Sequence, residues 1–386
     1  MIKKSIMVLL IFSIILMGTV AGFADAPAVS AQAAIVTELV SGRVLYSKNA
    51  ETRLPMASTT KIMTALVALE EKGDKIDEVF EISDAAAGVE GSSMYLEKGE
   101  KMTLRELLYG LMLSSGNDAA VAVSEAVAGS VDAFVDLMND KAKEIGLKNT
   151  AFANPNGLPD DSHYSSAADM ARLTEAAMKN EVFAQIVGTK SFTVSGDGKA
   201  YPRTLTNHNK LLSMYDGCIG VKTGFTKAAG RCLVSAAQRD GMTLICVTLN
   251  APSDWSDHSA LYDYGFENYT LTELEDRNLP VAVIEVENSY DGATPVYIED
   301  GVSFPLKEGE EICRTVELYD DISAPISSRE KVGRIIFEYG ADKKEITEAD
   351  LIVRSDIRAV SISDSIGRML AEGLKTIFSR WVGQAK

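Results

Sequence analysis

Short apolar runs bounded by polar residues over 33–39 and 43–47 predict two strands joined at Ser41-Gly42. A helical period follows. Ile62, Met63, Ala65, Leu66, Ala68 and Leu69 form a run that reads as a buried helix opening near Ser58 and ending before Gly73. Thr103 is the expected cap of a helix through Met112, and a polar break over 114–117 separates it from a second apolar helix, 119–128. Ser130 caps a helix over 131–145 that Gly146 stops. The spacing of Ala168, Ala171, Leu173, Ala176 and Ala177 places 165–178 on another. Strands return at 218–222, 232–238 and 242–250, with Arg239-Asp240-Gly241 as the second turn of an antiparallel meander. A strand pair first, helices in the middle and strands last predict an α/β unit, one antiparallel sheet flanked by helices.

Near residue 275 the pattern changes again. Short alternating stretches rich in Glu and Asp, such as 281–286 and 334–339, predict a small all-β domain that carries no chemical constellation and reads as a spacer or docking module. At the end, Ile362, Ile366, Met369, Leu370, Leu374, Ile377, Phe378 and Trp381 recur at helical spacing, while Arg368, Lys375 and Arg380 lie off that stripe. A cationic amphipathic helix of this kind suits an in-plane membrane anchor and is too short and polar to span. Packing of the same stripe against its own domain or a partner is the competing reading. The expected organisation is therefore a signal peptide at 1–24, a main domain at 27–275, the β-domain at 276–357 and the terminal helix at 360–386.

The bulk properties narrow the class. A chain of 386 residues, 46% hydrophobic, can bury a large core and form two domains. Lys3 and Lys4 followed by an apolar stretch over 6–17 and small residues at Ala24 and Ala26 form a secretory signal, with cleavage favoured after Ala24 and an uncleaved anchor as the alternative. The formal charge is −17, and removing 1–24 takes away two lysines and no acid, giving −19. So acidic a surface repels nucleic acid, which is not an expected partner. The chain is expected outside the cytoplasmic membrane, at its outer face or in the wall. Of its four cysteines, Cys218 and Cys232 flank the last motif and are the candidate pair on neighbouring strands, while Cys246 reads as a small buried residue; no bridge is assigned. No CxxC or HExxH is present, and neither metal nor cofactor is expected.

Three motifs carry the chemistry. Ser58-Thr59-Thr60-Lys61 offers a nucleophile with an amine one helical turn on; Ser115-Gly116-Asn117 adds a hydroxyl and an amide; Lys222-Thr223-Gly224 adds a cation and a hydroxyl suited to an anionic substrate. No GxSxG stands in the chain, and His163, His208 and His258 are far apart. Each motif alone is weak. Ser328-Arg329-Glu330-Lys331 repeats the first spacing in a polar stretch with no helix to begin, and Ser47-Lys48-Asn49 imitates the second. Ser58 by itself is equally readable as a helix cap. The downstream motifs are what favour the chemical reading.

The ordered motifs, the stretch Asn154-Pro155-Asn156-Gly157-Leu158 leading to His163-Tyr164-Ser165-Ser166-Ala167, and Gly220-Val221-Lys222-Thr223-Gly224-Phe225-Thr226 resemble serine-type D-alanyl-D-alanine carboxypeptidases, the low-molecular-mass penicillin-binding proteins. The resemblance extends over almost the whole mature chain, β-domain and terminal helix included. It implies a β-lactamase/transpeptidase-like fold, peptidoglycan stem peptides ending in D-Ala-D-Ala and β-lactam antibiotics as partners, and a membrane surface met through the C-terminal helix. Ser58 is then expected to attack the penultimate D-alanine and Lys61 to take its proton. Ser115 would protonate the leaving nitrogen, and Asn117 would hold the substrate's amide. Lys222 and Thr223 would bind the terminal carboxylate, Gly224 would let the strand approach the substrate, and the N–H groups of Ser58 and Phe225 would form the oxyanion hole. Two departures stand out. Asn156 replaces a frequent His, a change read as structural. The stretch 253–258 also lacks the Arg that many relatives use on the carboxylate, and packing over the sheet edge is the preferred reading of Trp255 and His258.

A β-lactamase shares the motifs, but the stretch 152–165 holds no Glu to serve as its deacylating base. A non-catalytic, membrane-attached wall-binding protein is the reading from another class, and the intact motif side chains speak against it. Whether the acceptor is water or an amine is not written in the motifs, which leaves transpeptidation and endopeptidase action open.

Overall fold

The computed structural model describes residues 26–195, 202–320, 322–340 and 344–383. The signal segment lies outside them. Strands β1 (Ala33–Glu38) and β2 (Val44–Lys48) pair antiparallel, and a tight 3-10 turn, Ala57–Thr60, leads straight into α1 (Lys61–Lys72). A small hairpin of β3 (Val79–Glu81) and β4 (Lys101–Thr103) precedes α2 (Leu104–Leu113). Thr103 caps α2 as expected and does so reciprocally. Its hydroxyl accepts from Glu106 N–H at 3.2 Å, and the Glu106 carboxylate accepts from Thr103 N–H at 2.9 Å. Then come α3 (Asn117–Ala128), α4 (Val131–Glu144) capped by Ser130, and α5 (Ala167–Met178) capped by Ser166.

Pattern reading passed over the next pieces: α6 (Glu181–Gly188), the hairpin β5 (Ser191–Val194) with β6 (Arg203–Thr206), and the single-turn α7 (Leu211–Met214). The meander is present as β7 (Cys218–Thr226), β8 (Gly230–Arg239) and β9 (Met242–Leu249), followed by an unforeseen α8 (Asp254–Asn268). All five long strands join one antiparallel sheet in the order β2-β1-β9-β8-β7. One face buries Ile35, Val234, Val247 and Leu249 against α1 to α6. The other buries Leu233, Leu244 and Cys246 against α8, including the fully buried Tyr262.

Helix α8 was hidden because its inner face is polar. Asp254, Asp257 and His258 are buried there beside Leu261 and Tyr262. Asp257 accepts from Ser30 and Ala31, and His258 lies between Ser235 at 2.6 Å and Thr248 at 2.9 Å. His258 thus packs in the core over the central strands β9 and β8, not over the sheet edge as expected.

The acidic region folds as β10 (Thr270–Glu275), β11 (Ala282–Glu285), β12 (Ala293–Ile298), β13 (Val302–Leu306), β14 (Ile312–Leu318), β15 (Lys331–Tyr339) and β16 (Lys344–Ile352). Five strands make a sheet ordered β11-β12-β16-β15-β14, and β10 pairs with β13. That last pairing ties the strand just after α8 to the β region. Arg43 of the first unit reaches across to Glu310 with two hydrogen bonds, at 2.8 and 2.6 Å, and sits over the rings of Tyr269, Phe304 and Tyr339. The chain ends in α9 (Ile362–Gly383).

The expected cysteine pair does not meet. Cys218 lies opposite Ala237 and Cys232 opposite Gly224, so the two thiols occupy different rungs of the ladder and are free, as are Cys246 and Cys313.

Candidate active site

The three motifs converge where the start of α1, the α2–α3 junction and edge strand β7 meet. Ser58 stands in the 3-10 turn, and the turn of backbone to Lys61 puts both side chains on one face. Lys61 Nζ lies 3.0 Å from Ser58 Oγ, 2.8 Å from Asn117 Oδ1 and 2.6 Å from the Asn156 carbonyl oxygen. The lysine is 0% exposed. Burial, and next the charge of Lys222, hold its pKa well below the ordinary lysine value, with Asp118 opposing. An amine in that setting is available as a base.

In the free protein the Asn117 oxygen accepts from Lys61 and its NH₂ donates to the Glu90 carbonyl at 2.6 Å, so it positions the amine. Ser115 lines the cleft at φ 58° and Ala57, just before the nucleophile, has φ 49°. Both are left-handed conformations that a residue with a side chain adopts only where its surroundings enforce them. Asp118, buried one residue on, accepts from Ser93 Oγ at 2.6 Å and from the N–H groups of Met94 and Leu96 at 3.1 Å each, fixing the loop that forms this wall.

The loop 154–158 does more than the sequence suggested. The Asn156 carbonyl is a second acceptor for Lys61, while the Asn156 side chain only closes a turn onto Leu158 N–H, which accords with a structural role for that side chain. Thr64 of α1 ties the loop down through the Pro155 carbonyl at 2.6 Å. Gly157 has φ +86°, and a Cβ there would lie 2.0 Å from the Ala57 oxygen and 2.9 Å from Ser58 N. Only glycine fits. His163, which opens the stretch 163–167 that carries the resemblance, braces the same turn. Its Nδ1 accepts from Ala153 N–H, so Nε2 carries the proton toward Thr60 Oγ1 at 2.7 Å, and Thr60 donates in turn to the Ala57 carbonyl at 2.8 Å. Burial first of all lowers the His163 pKa to about 4, leaving the ring neutral at physiological pH.

On β7, Thr223 and Phe225 line the cleft, but Lys222 does not form its rim. It is 1% exposed, its Nζ donates to the Thr223 carbonyl at 2.8 Å, and burial brings its pKa to about 7. Gly224 serves a contact other than the one expected. A Cβ there would meet Ser58 N at 3.1 Å, Ala57 Cβ and Met56 O at 3.2 Å, so glycine lets the strand close on the nucleophile's own backbone. The resulting cleft of about 330 Å³ is completed by Ser92, His208, Lys210, Arg231, Asp254 and Trp255. Trp255 therefore faces the cleft as well as the sheet edge.

The family profile described as D-alanyl-D-alanine carboxypeptidase, Peptidase S11, matches residues 21–253. The chain belongs to that family. Among characterised relatives, the D-alanyl-D-alanine carboxypeptidase DacF of Bacillus subtilis is 35% identical over 355 residues, covering 89% of this chain and 90% of that protein. The D-alanyl-D-alanine carboxypeptidase DacC of Escherichia coli is 34% identical over 355 residues, 86% of each chain. Penicillin binding protein 5 from Haemophilus influenzae superposes with a TM-score of 0.73 at 29% identity, over 87% of this chain and 99% of its own. The Streptomyces K15 DD-transpeptidase gives 0.61 at 36% identity, over 63% of this chain and all of its own. A β-lactamase-like hydrolase and a non-catalytic wall protein are not favoured by this family membership.

Proposed function

We propose that this protein is a serine-type D-alanyl-D-alanine carboxypeptidase that removes the terminal D-alanine from peptidoglycan stem peptides and is acylated by β-lactams. The observation that carries the reading is a fully buried Lys61 amine 3.0 Å from the Ser58 hydroxyl in a member of this family.

Ser58 Oγ attacks the carbonyl carbon of the penultimate D-alanine while Lys61 takes the hydroxyl proton. Asn117 and the Asn156 carbonyl hold the amine on target. The N–H groups of Ser58 and Phe225 receive the tetrahedral oxygen, and β7, an edge strand, leaves backbone groups unpaired toward the cleft. Ser115 passes a proton to the D-alanine nitrogen as the C–N bond breaks. Lys222, with Thr223, supplies positive charge for the substrate's free carboxylate. Water then cleaves the Ser58 ester.

The protein is proposed to act outside the cytoplasmic membrane after loss of residues 1–24, with the main domain catalysing and the β-domain holding it off the surface. Helix α9 supports attachment to lipid: Ile366, Met369, Leu370, Leu374 and Ile377 are exposed at helical spacing, and no described helix is long and apolar enough to cross a membrane. Deleting 362–386 is expected to free the protein from anionic vesicles; unchanged sedimentation with lipid would remove the anchor from the account.

The enzymatic reading is tested by release of D-alanine from an acyl-D-Ala-D-Ala peptide, using wild type and Ser58→Ala. Release by wild type alone supports it, and no release by either refutes it.

A further inference from the structure

A carboxypeptidase has to distinguish a chain end from an internal bond, and the buried Lys222 is poorly placed to do so alone. Lys222 is 1% exposed and its amine donates to the Thr223 carbonyl. The cleft has another cation at its surface. Arg231 stands on β8 directly opposite Phe225 of β7, and its side chain is 42% exposed within the same cleft as Ser58 and Thr223.

The arginine is aimed. Its Nε donates to Asp254 Oδ1 at 2.9 Å, its Nη2 pairs ionically with Oδ2 at 2.9 Å, and the guanidinium carbon stands 5.6 Å from the centre of the Trp255 ring. Asp254 is itself only 4% exposed on its side chain and also accepts from Trp255 N–H at 2.9 Å. It is thereby committed to orientation and cannot offer its oxygens to a ligand. Nη1 of Arg231 makes no hydrogen bond to any described residue. The planar edge formed by Nη1 and Nη2 matches a carboxylate bidentately, which a lysine cannot do. Among the described residues lining the cleft, Lys210 and Arg231 are the cations and Asp254 the one acid, so an anion is favoured there even with the ion pair intact.

We propose that Arg231, oriented by Asp254 and Trp255, binds the substrate's C-terminal carboxylate and sets the preference of this site for chain ends. The inference rests on the carboxypeptidase reading and adds the residue that recognises the end. It predicts that the first turn of α8 acts through β8 as a positioning element.

The test compares an acyl-D-Ala-D-Ala peptide carrying a free carboxylate with the same peptide as its C-terminal amide. Wild type is expected to prefer the acid by about 10²-fold in kcat/KM, the range of one charge-assisted pair. Arg231→Ala loses that preference because it slows on the acid far more than on the amide. Arg231→Lys retains part of the preference, and Asp254→Asn raises KM for the acid more than it lowers kcat. Arg231→Gln keeps a hydrogen-bonding partner for Asp254 without the charge, and its acid-to-amide ratio also falls. Equal slowing on both substrates, or an unchanged ratio in the glutamine variant, overturns the inference and leaves the Arg231–Asp254 pair a clasp between β8 and α8. A wild type that releases neither product refutes the carboxypeptidase reading itself, and the inference falls with it.

Discussion

The chain contains the spacing Ser-x-x-Lys twice, and the two copies end in opposite environments. Ser58 and Lys61 open a buried helix and lie 3.0 Å apart, with the lysine sealed from water. Ser328 stands in a turn just before β15, and Lys331 opens that strand. There Ser328 Oγ donates to the Arg354 carbonyl at 3.0 Å, and Lys331, 60% exposed, pairs with Asp350 at 2.5 Å. Asp350 raises the Lys331 pKa, whereas burial and Lys222 lower that of Lys61. A turn leading into a strand leaves the two side chains to separate partners, whereas a helical turn brings residues three apart onto one face. The motif becomes chemistry only where helical geometry and the loss of water coincide.

The contrast can be broken in several ways. Ser58→Ala or Lys61→Met is expected to lower D-alanine release by about 10⁴-fold or more, read by product assay on protein of unchanged melting temperature. Residual activity near wild type in either would detach catalysis from this pair. Gly157→Ala, forced against the Ala57 carbonyl at a positive φ, should shift the nucleophile's turn and reduce kcat by about 10²-fold. Its unfolding free energy should fall by about 1–3 kcal/mol in a denaturant titration; an unperturbed variant would mean the loop does not brace the turn.

Two pH effects are smaller. Lys222, facing Lys61 and His208, is charged below about 7 and loses its proton above it, so KM for a carboxylate substrate should rise with alkalinity through that range. A KM flat from about pH 6 to about pH 9 would show that Lys222 does not sense the anion. His163 and His258 are neutral in the fold, at about 4 and about 3, against 6.5 unfolded. The unfolded chain therefore binds more protons as pH drops below 6.5, and stability held above that value declines toward 4. All three histidines precede residue 270, so acid should loosen the first unit ahead of the β-domain, visible as separated transitions in calorimetry. At the small end, Ser328→Ala and Lys331→Ala should leave both activity and melting unchanged, since an exposed ion pair adds little.

The same physics governs what was legible in the sequence. Helices with an apolar stripe, such as α1 and α3, and strands with both faces buried, such as β9, announced themselves because water is excluded from a regular pattern of positions. Helix α8 did not, since its buried face carries Asp254, Asp257 and His258, whose hydrogen bonds substitute for apolarity. At the site, the sequence named Ser58, Lys61, Ser115, Asn117, Lys222 and Thr223, and the fold brings them around one cleft. It did not reveal the Asn156 carbonyl, because a backbone oxygen leaves no trace in residue identity; the glycine at 157 was the available signal. Nor did it place Arg231, whose relation to Asp254 exists only once β8 and the start of α8 lie side by side.

The central claim, a serine activated by a neutral amine, is measured most directly by trapping with a labelled penicillin across pH and mapping the modified peptide. The account predicts a single label on Ser58, with an acylation rate that climbs to its plateau at a midpoint well below the lysine value of about 10.4. A label elsewhere, or a midpoint at that ordinary value, would contradict it.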